Sequence, residues 1–539
     1  MTLKFNHKVF FQPLIILLII AITLGIGFRF FHLDKKVYWY DEVHTSLRVA
    51  GFSRGYIDPE LYQNQIIPAQ QLQKYQQIKP QSTFAGTLKS LAFENPHHPP
   101  LYYLIGRLWM QKFGSSITAS RSLPALISLL SLPLIYILGR QLFNSHLTAL
   151  LATIFLALSP VEILFAQTAR QYSLVTVLTI ASSILLWQAL DSRSWKKWGL
   201  YSIVSALGLY THLFFSLTLI SHGIFVISNC FLSNYTKINS SKNKANLSKF
   251  QLLIKTLPLD FFRASVVIII LYLPWIIIVI NNLQRVYDRT NWVRESVSFN
   301  FLVENWVLSF SSLFIDVNFR DFSFDNNGIY LLRLLFLIII TCGIYKVCRS
   351  CNLSTKLFIL TSIFIPFMIL VIPDLVSGGR HSAVTRYLIS CFPAIYLSVA
   401  YLLGRYLSQK YWRVVLAILL TASIASCTLS AFSDTWWNKG LSYSNAEIAK
   451  KLNARDTPIL LSDIGDNYTN TGDLISLSYL LDDQVRLLLL SRSPNLEMVA
   501  DESEIFVFRP SERLEEAIKG KQWEFQSLVG RKLLRVTKK

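Results

Sequence analysis

Apolar runs dominate the chain, and most are longer than a globular core helix requires. A helix rising about 1.5 Å per residue needs about 20 residues to cross a hydrocarbon core of roughly 30 Å. Runs of that order lie near 9–31, 117–139, 148–166, 171–190, 197–211, 213–233, 262–281, 329–346, 356–373, 387–404 and 412–432. They predict an α-helical polytopic membrane protein with about 11 transmembrane helices and about 13 as the upper bound. The first run is too long for an ordinary signal peptide and lacks a small-residue cleavage site, so it reads as an uncleaved anchor. No repeat short enough for a solenoid is visible. After 434 the pattern becomes mixed. SNAEIAKKL and SERLEEAIKG have helical periodicity, whereas PILLSD and EIFVFRP read as strands. The expected organisation is a transmembrane domain over 1–433, including a first large loop over 32–116 with interfacial helices. A small C-terminal extracytoplasmic α/β domain over 434–539 follows, long enough for its own core.

One stretch, 101–113 (LYYLIGRLWMQKF), is apolar but short, and Arg107 and Lys112 interrupt it. If it does not cross and Met1 is cytoplasmic, the cytoplasmic connections hold Lys4, Lys8, Arg140, Arg193, Lys196, Lys197, Lys237, Lys242, Lys244, Lys249, Lys255, Lys346, Arg349, Lys356, Arg405, Lys410 and Arg413. Only Asp191 and Asp260 oppose them. That is the positive-inside pattern, and a crossing would move every later basic loop outside. The stretch therefore reads as an interfacial or re-entrant helix. A second outer piece is expected over 282–328.

Composition agrees. Of 539 residues, 52% are hydrophobic and 16% charged, against about 25% charged in soluble domains. A disordered chain would be poor in apolar residues. The net charge of +20 first suggests nucleic acid, but its distribution does not. From Asp434 onward 15 basic residues meet 16 acidic ones, so the excess sits in the membrane half, mostly in its cytoplasmic connections. No nucleic-acid partner is expected. All six cysteines, Cys230, Cys342, Cys348, Cys351, Cys391 and Cys427, fall in spans or cytoplasmic loops, so no outer disulfide framework is expected. Cys348 and Cys351 form a CxxC without the second pair of a zinc site.

Several polar residues stand at expected outer helix ends. Asp41 and Glu42 follow VYWY. Adjacent carboxylates supply a general base when one is desolvated or held by a cation; a solvated pair at a loop start is the plain alternative, and composition alone favours it. His97 and His98 precede Pro99 and Pro100, which suit a helix start. A histidine there binds an anion or a metal, or simply lies in the interface. Arg170 in AQTARQYSL either faces a polar cavity, extended by Tyr172, or snorkels. Thr211 and His212 mark a junction of two spans, whose plain reading is a wet turn. Arg380, His381, Arg386 and Tyr387 gather in and after PDLVSGGRHSAVTRYL, with Arg386 opening a helix. That concentration of cations favours an anion, most naturally phosphate, over snorkelling. Together these residues describe an outer-face cavity suited to a phosphate-bearing lipid donor.

The order of motifs resembles the GT-C membrane glycosyltransferases, and more closely glycosyltransferase family 39, the dolichyl-phosphate-mannose protein mannosyltransferases and their bacterial aminoarabinose-transferase relatives. The matching pieces are YDE at Tyr40–Glu42, HPPLYYL at 98–104, SRSLPALISLLSLPLIYILGRQLF at 120–143, SPVEILFAQTARQYSL at 159–174, YTH at Tyr210–His212 and RYLISCFPAIYL at 386–397. The resemblance implies an inverting transferase using a polyprenyl-phosphate-linked sugar and a lipid, glycan or protein acceptor, in the plasma or inner membrane. It implies Asp41 as base and Glu42 as a shaper of the pocket. His98 stands where the aminoarabinose transferases place a lysine that meets the donor phosphate. Arg170 and Arg386 would stabilise the leaving phosphate, with Tyr172 and Tyr387 as secondary contacts and His97, His212, Arg380 and His381 as further substrate contacts. The reading requires no cofactor and tolerates a divalent metal. One departure stands out: relatives often read QEAR where this chain has Gln167, Thr168, Ala169 and Arg170. Metal-dependent oligosaccharyltransferases carry a WWD-type motif in the outer domain, whereas here Trp436, Trp437 and Asn438 follow the last span and read as an interface belt. The rivals are a lipid-sugar flippase, for which no paired broken helices are evident, and a catalytically inactive assembly partner, which the missing acid keeps open.

Overall fold

The computed structural model describes residues 7–192, 194–240, 258–317 and 327–538. Of the basic loop positions, Lys4, Arg193, Lys242, Lys244, Lys249 and Lys255 lie outside the described residues. The chain is an integral membrane protein built mainly of helices. Among the described residues, 8 helices are long and apolar enough to span: Ile117–Phe143, Tyr172–Ser192, Phe215–Ser233, Leu259–Asn281, Tyr330–Ser350, Leu353–Ser377, Thr385–Tyr406 and the one that begins at Lys410. A ninth exists if His146–Leu158 and Pro160–Ala166, bent by 55°, make one span. Of the two remaining expected spans, one corresponds to the 24-residue helix His7–Phe30 and the other to the shorter, 17-residue Trp195–Thr211. Hydropathy runs straight through Ser159 and Pro160, whereas the missing proline N–H breaks the ladder there. Leu101–Phe113 is a helix of only 13 residues.

Two compact units divide the chain. The first comprises Met1–Phe31, Asn95–Tyr102 and Pro124–Ala431; the second comprises His32–Glu94, Tyr103–Leu123 and Phe432–Lys539. This division differs from the one expected at 433/434, because the first large loop clusters with the C-terminal segment.

In the first unit, helix Phe392–Tyr406 is buried along almost its whole length and packs against His146–Leu158 and Asn327–Ser350. The break at Ser159 leaves carbonyls without helical partners, a costly condition away from water. Arg29, fully buried, donates to the carbonyls of Ala157 at 2.6 Å and Leu156 at 3.2 Å, and to Ser128 Oγ at 3.0 Å. Its guanidinium thus replaces the lost backbone donors.

The second unit holds a six-stranded sheet: β1 (Gln65–Pro68), β2 (Ile459–Ser462), β3 (Arg486–Leu489), β4 (Ile505–Phe508), β5 (Glu524–Val529) and β6 (Leu533–Thr537), in the order β1-β3-β2-β4-β6-β5. The central strands β3, β2 and β4 are parallel, and the outer pairings are antiparallel. Strands β2 and β4 are buried on both faces, which is why ILLS and IFVF read as unbroken apolar runs. Leu461, Leu488, Val507, Leu514 and Ile518 fill one core beside the sheet. Strand β1 comes from the first large loop and pairs with β3, Gln65 opposite Leu489.

Candidate functional site

The carboxylate pair lies in the second unit, at the start of helix Tyr40–Ala50. The two side chains have different surroundings. Glu42 is fully buried. Its oxygens accept from Arg121 Nε and Nη2, both at 2.8 Å, from Lys439 Nζ at 2.9 Å and from the Trp39 N–H at 3.0 Å. Arg121 donates further to the carbonyls of Leu33 (2.7 Å), Lys36 (2.9 Å) and Val37 (2.8 Å). Lys439, beyond the apolar helix Lys410–Phe432, is pushed down to about 8 by burial, against the pull of Glu42. This network fixes the approach to the helix. The Tyr40 N–H donates to Ser442 Oγ, which donates to the buried Asp473, itself paired with Arg509 at 2.8 Å. Asp41 is half-buried, one position into this braced first turn. The sequence reading missed Arg121 and Lys439. Arg121 did carry a signal, as a lone charge inside the apolar run 117–139.

The expected phosphate contacts lie in the first unit. Arg170 is buried in the turn between helices Pro160–Ala166 and Tyr172–Ser192. The turn is anchored by Gln167 Nε2, which donates to the carbonyls of Phe28 (2.6 Å) and Phe31 (3.0 Å). Thr168, the departure from the expected QEAR, donates its hydroxyl to Leu164 O at 2.7 Å and so closes back on its own helix. Tyr172 is buried, and the Arg170 guanidinium carbon lies 5.8 Å from its ring centroid.

His212 ends helix Trp195–Thr211. Its Nδ1 accepts the Phe214 N–H at 3.1 Å, so the ring proton belongs on Nε2. Burial pushes its pKa down to about 3, and the charges of Arg170, Arg386 and His97 push the same way. The last three residues therefore share the surroundings of one neutral imidazole. The tight turn here depends on Gly208, where a Cβ would lie 2.3 Å from the Phe215 ring. His97 and His98 are half-buried with ring centroids 4.1 Å apart, and Trp275 Nε1 holds the preceding Pro96 carbonyl at 3.0 Å.

Arg386 and Tyr387 stand in the turn of 3-10 helix Thr385–Cys391. Tyr387 stacks on Phe214, centroids 4.1 Å apart. The loop leading there is pinned by buried Asp374, which accepts from His381 N (3.0 Å), His381 Nδ1 (2.9 Å), Ser382 N (2.6 Å) and Ser382 Oγ (2.7 Å). Gly379 makes this possible, with φ 120° and a Cβ position 3.0 Å from the Asp374 carboxylate. Arg380 donates to Trp292 O at 2.7 Å and pairs with Glu295 at 2.5 Å. Arg380 and His381 thus use their polar atoms on the protein, whereas the charges of His97, Arg170 and Arg386 all act on His212. Among the described residues, no group of three or more His, Cys, Asp or Glu side chains could hold a metal ion.

These features define a polytopic membrane protein with a cation-rich cluster in one unit and a braced carboxylate helix in the other. Residues 97–242 match the family described as dolichyl-phosphate-mannose-protein mannosyltransferase. The chain resembles the GT-C membrane glycosyltransferases of family 39 in that stretch. No curated protein sequence matches it. Similar solved structures include ArnT from Cupriavidus metallidurans bound to undecaprenyl phosphate, at 11% identity, 97% of this chain, 98% of that one and TM-score 0.48. The apo state of the same protein gives 11%, 97%, 97% and 0.49. The apo oligosaccharyltransferase of Archaeoglobus fulgidus gives 11%, 92%, 69% and 0.46.

Proposed function

We propose that the chain is a membrane glycosyltransferase that moves a sugar, with inversion, from a polyprenyl-phosphate-linked donor to a hydroxyl acceptor on a lipid, glycan or protein. One observation carries the reading. His97, Arg170 and Arg386 come from three distant stretches, yet their charges converge on His212. Three of these four residues fall in the stretch that resembles the mannosyltransferase family. One buried and one half-buried guanidinium whose charges reach the same imidazole suit a multiply charged phosphate.

In this reading the acceptor hydroxyl gives its proton to the Asp41 carboxylate while its oxygen attacks the anomeric carbon. The bond from that carbon to the donor phosphate breaks, and its electron pair leaves with the lipid phosphate. Negative charge grows on that phosphate, so Arg170 and Arg386 stabilise the transition state more than the bound donor. The neutral Nε2–H of His212 adds a hydrogen-bond donor. His98 and Tyr387 take secondary donor contacts, and Glu42 holds the helix that carries Asp41. The N-terminus is cytoplasmic and the chemistry extracytoplasmic, as the basic-loop pattern supports.

The test is transfer by purified protein in nanodiscs from a panel of polyprenyl-phosphate sugars, read by mass spectrometry of lipid and acceptor. Asp41→Asn should abolish transfer while leaving the melting profile unchanged. Full activity in that variant removes the assigned base, and vectorial movement of the lipid-sugar without a new glycoside would make the protein a flippase.

A further inference from the structure

The carboxyl ends of β2, β3 and β4 open onto a cavity of about 580 Å³ lined wholly by residues of the second unit. The chain leaves β2, returns as β3 on one side of it and then as β4 on the other. The loops after β2 and β4 therefore diverge, and open α/β sheets bind ligands in such crevices. The volume lies within the range of about 300–1,000 Å³ for small-molecule sites.

The lining is chemically specific. Asp463 accepts both the N–H and the hydroxyl of Ser511, and Asp466 accepts the Glu512 N–H at 3.2 Å. Two carboxylates are thus fixed at the start of helix Glu512–Gly520, and each ionised carboxylate has about four acceptor sites. Arg492 and Arg513 line the same cavity, exposed, and form no side-chain hydrogen bond or ion pair among the described residues. Two tyrosines complete it. Tyr62 is half-buried, its hydroxyl 3.2 Å from Thr471 Oγ1. Tyr468 is 50% exposed and has φ 54°, a left-handed conformation that bulky residues rarely adopt. Fixed acceptors, amphipathic rings and two uncommitted guanidinium groups match a ligand with several hydroxyls, an apolar ring face and a negative charge.

We propose that this crevice binds an anionic saccharide: hydroxyls on Asp463 and Asp466, the ring face on Tyr468 and the acidic substituent between Arg492 and Arg513. Its lining includes none of the residues assigned to transfer. The test is microcalorimetric titration of the full-length protein in detergent with glucuronic acid, glucose 6-phosphate, glucose and inorganic phosphate. At least one of the two anionic sugars should bind at least 10-fold more tightly than glucose or phosphate. The double variant Arg492→Ala/Arg513→Ala should weaken that binding at least 10-fold with an unchanged melting profile, and Asp466→Asn should weaken both sugars but not phosphate. Arg386→Ala, which tests the transfer reading, should leave this titration unchanged. No saturable sugar binding, binding lost in Arg386→Ala but retained in the double variant, or phosphate binding as tightly as the sugars would each overturn the proposal.

Discussion

Replacing Glu42 by alanine should cost the protein far more than any surface charge. The carboxylate is fully buried and accepts from Arg121 twice, from Lys439 and from the Trp39 N–H. Removing one partner of a buried ion pair costs about 3–5 kcal/mol, because the stranded charge remains. Two features place this case near the lower end. Arg121 keeps three backbone carbonyl acceptors. Lys439, already held down to about 8, loses its proton readily once Glu42 is gone. The expected loss is therefore about 3 kcal/mol. Denaturant titration in micelles measures it, with Lys439→Met as the second arm of a cycle. The double variant should be about 1–2 kcal/mol more stable than Glu42→Ala alone, within the usual coupling of neighbouring groups. A Glu42→Ala protein within about 0.5 kcal/mol of the parent, the range of ordinary surface substitutions, or strictly additive losses would refute the buried network as the brace of this helix.

Three further outcomes follow from the first unit. Gly208→Ala drives a methyl into the Phe215 ring and should cost about 1–3 kcal/mol by overpacking, read in the same titration. Asp374→Ala strands the His381 and Ser382 N–H groups; a loss of roughly 2–4 kcal/mol is expected, with weaker donor binding as the loop before Arg386 loosens. His212 is held near 3 against an ordinary 6.5. Between those values the unfolded chain takes up a proton that the folded chain refuses, so stability falls as pH drops from 6.5 towards 3. His212→Gln should flatten that decline, and parallel melting curves for both proteins between pH 7 and 5 would contradict it.

The membrane architecture is legible in the sequence because lipid enforces long apolar runs wherever a helix crosses. The exceptions lie where length and backbone chemistry intervene, at the Ser159 break and in the 17-residue helix Trp195–Thr211. In the tail, β2, β4 and the helices Asn445–Asn453 and Glu512–Gly520 show in local period and composition. Strand β1 does not. It is four residues, QIIP, in a polar loop, and its partner β3 lies more than 400 positions away, so no local pattern marks it. Trp436 teaches the same lesson. An aromatic pair after the last span suggested an interface belt, yet this ring is 2% exposed, packed inside protein. Burial by distant chain looks, in sequence, like burial in lipid.

The adjacent carboxylates separate for a geometric reason. Successive residues on a helix point about 100° apart, so Asp41 and Glu42 leave the helix in different directions. Glu42 is the third residue of its helix, the position from which a glutamate reaches back to the N-cap N–H. Once it does so, its two oxygens are committed to the cap and to both cations. Asp41, one step earlier, is half-buried. Its neighbour's ion pairs hold the backbone on which it stands, since the Tyr40 N–H is tied to Ser442 and Asp473 as well. A reacting group gains from such rigidity, because misplacement of about 1 Å costs as much as 100-fold in rate. Glu42→Gln should therefore lower transfer by loosening Asp41 even where the protein still folds, whereas Asp41→Asn should abolish transfer without loosening anything.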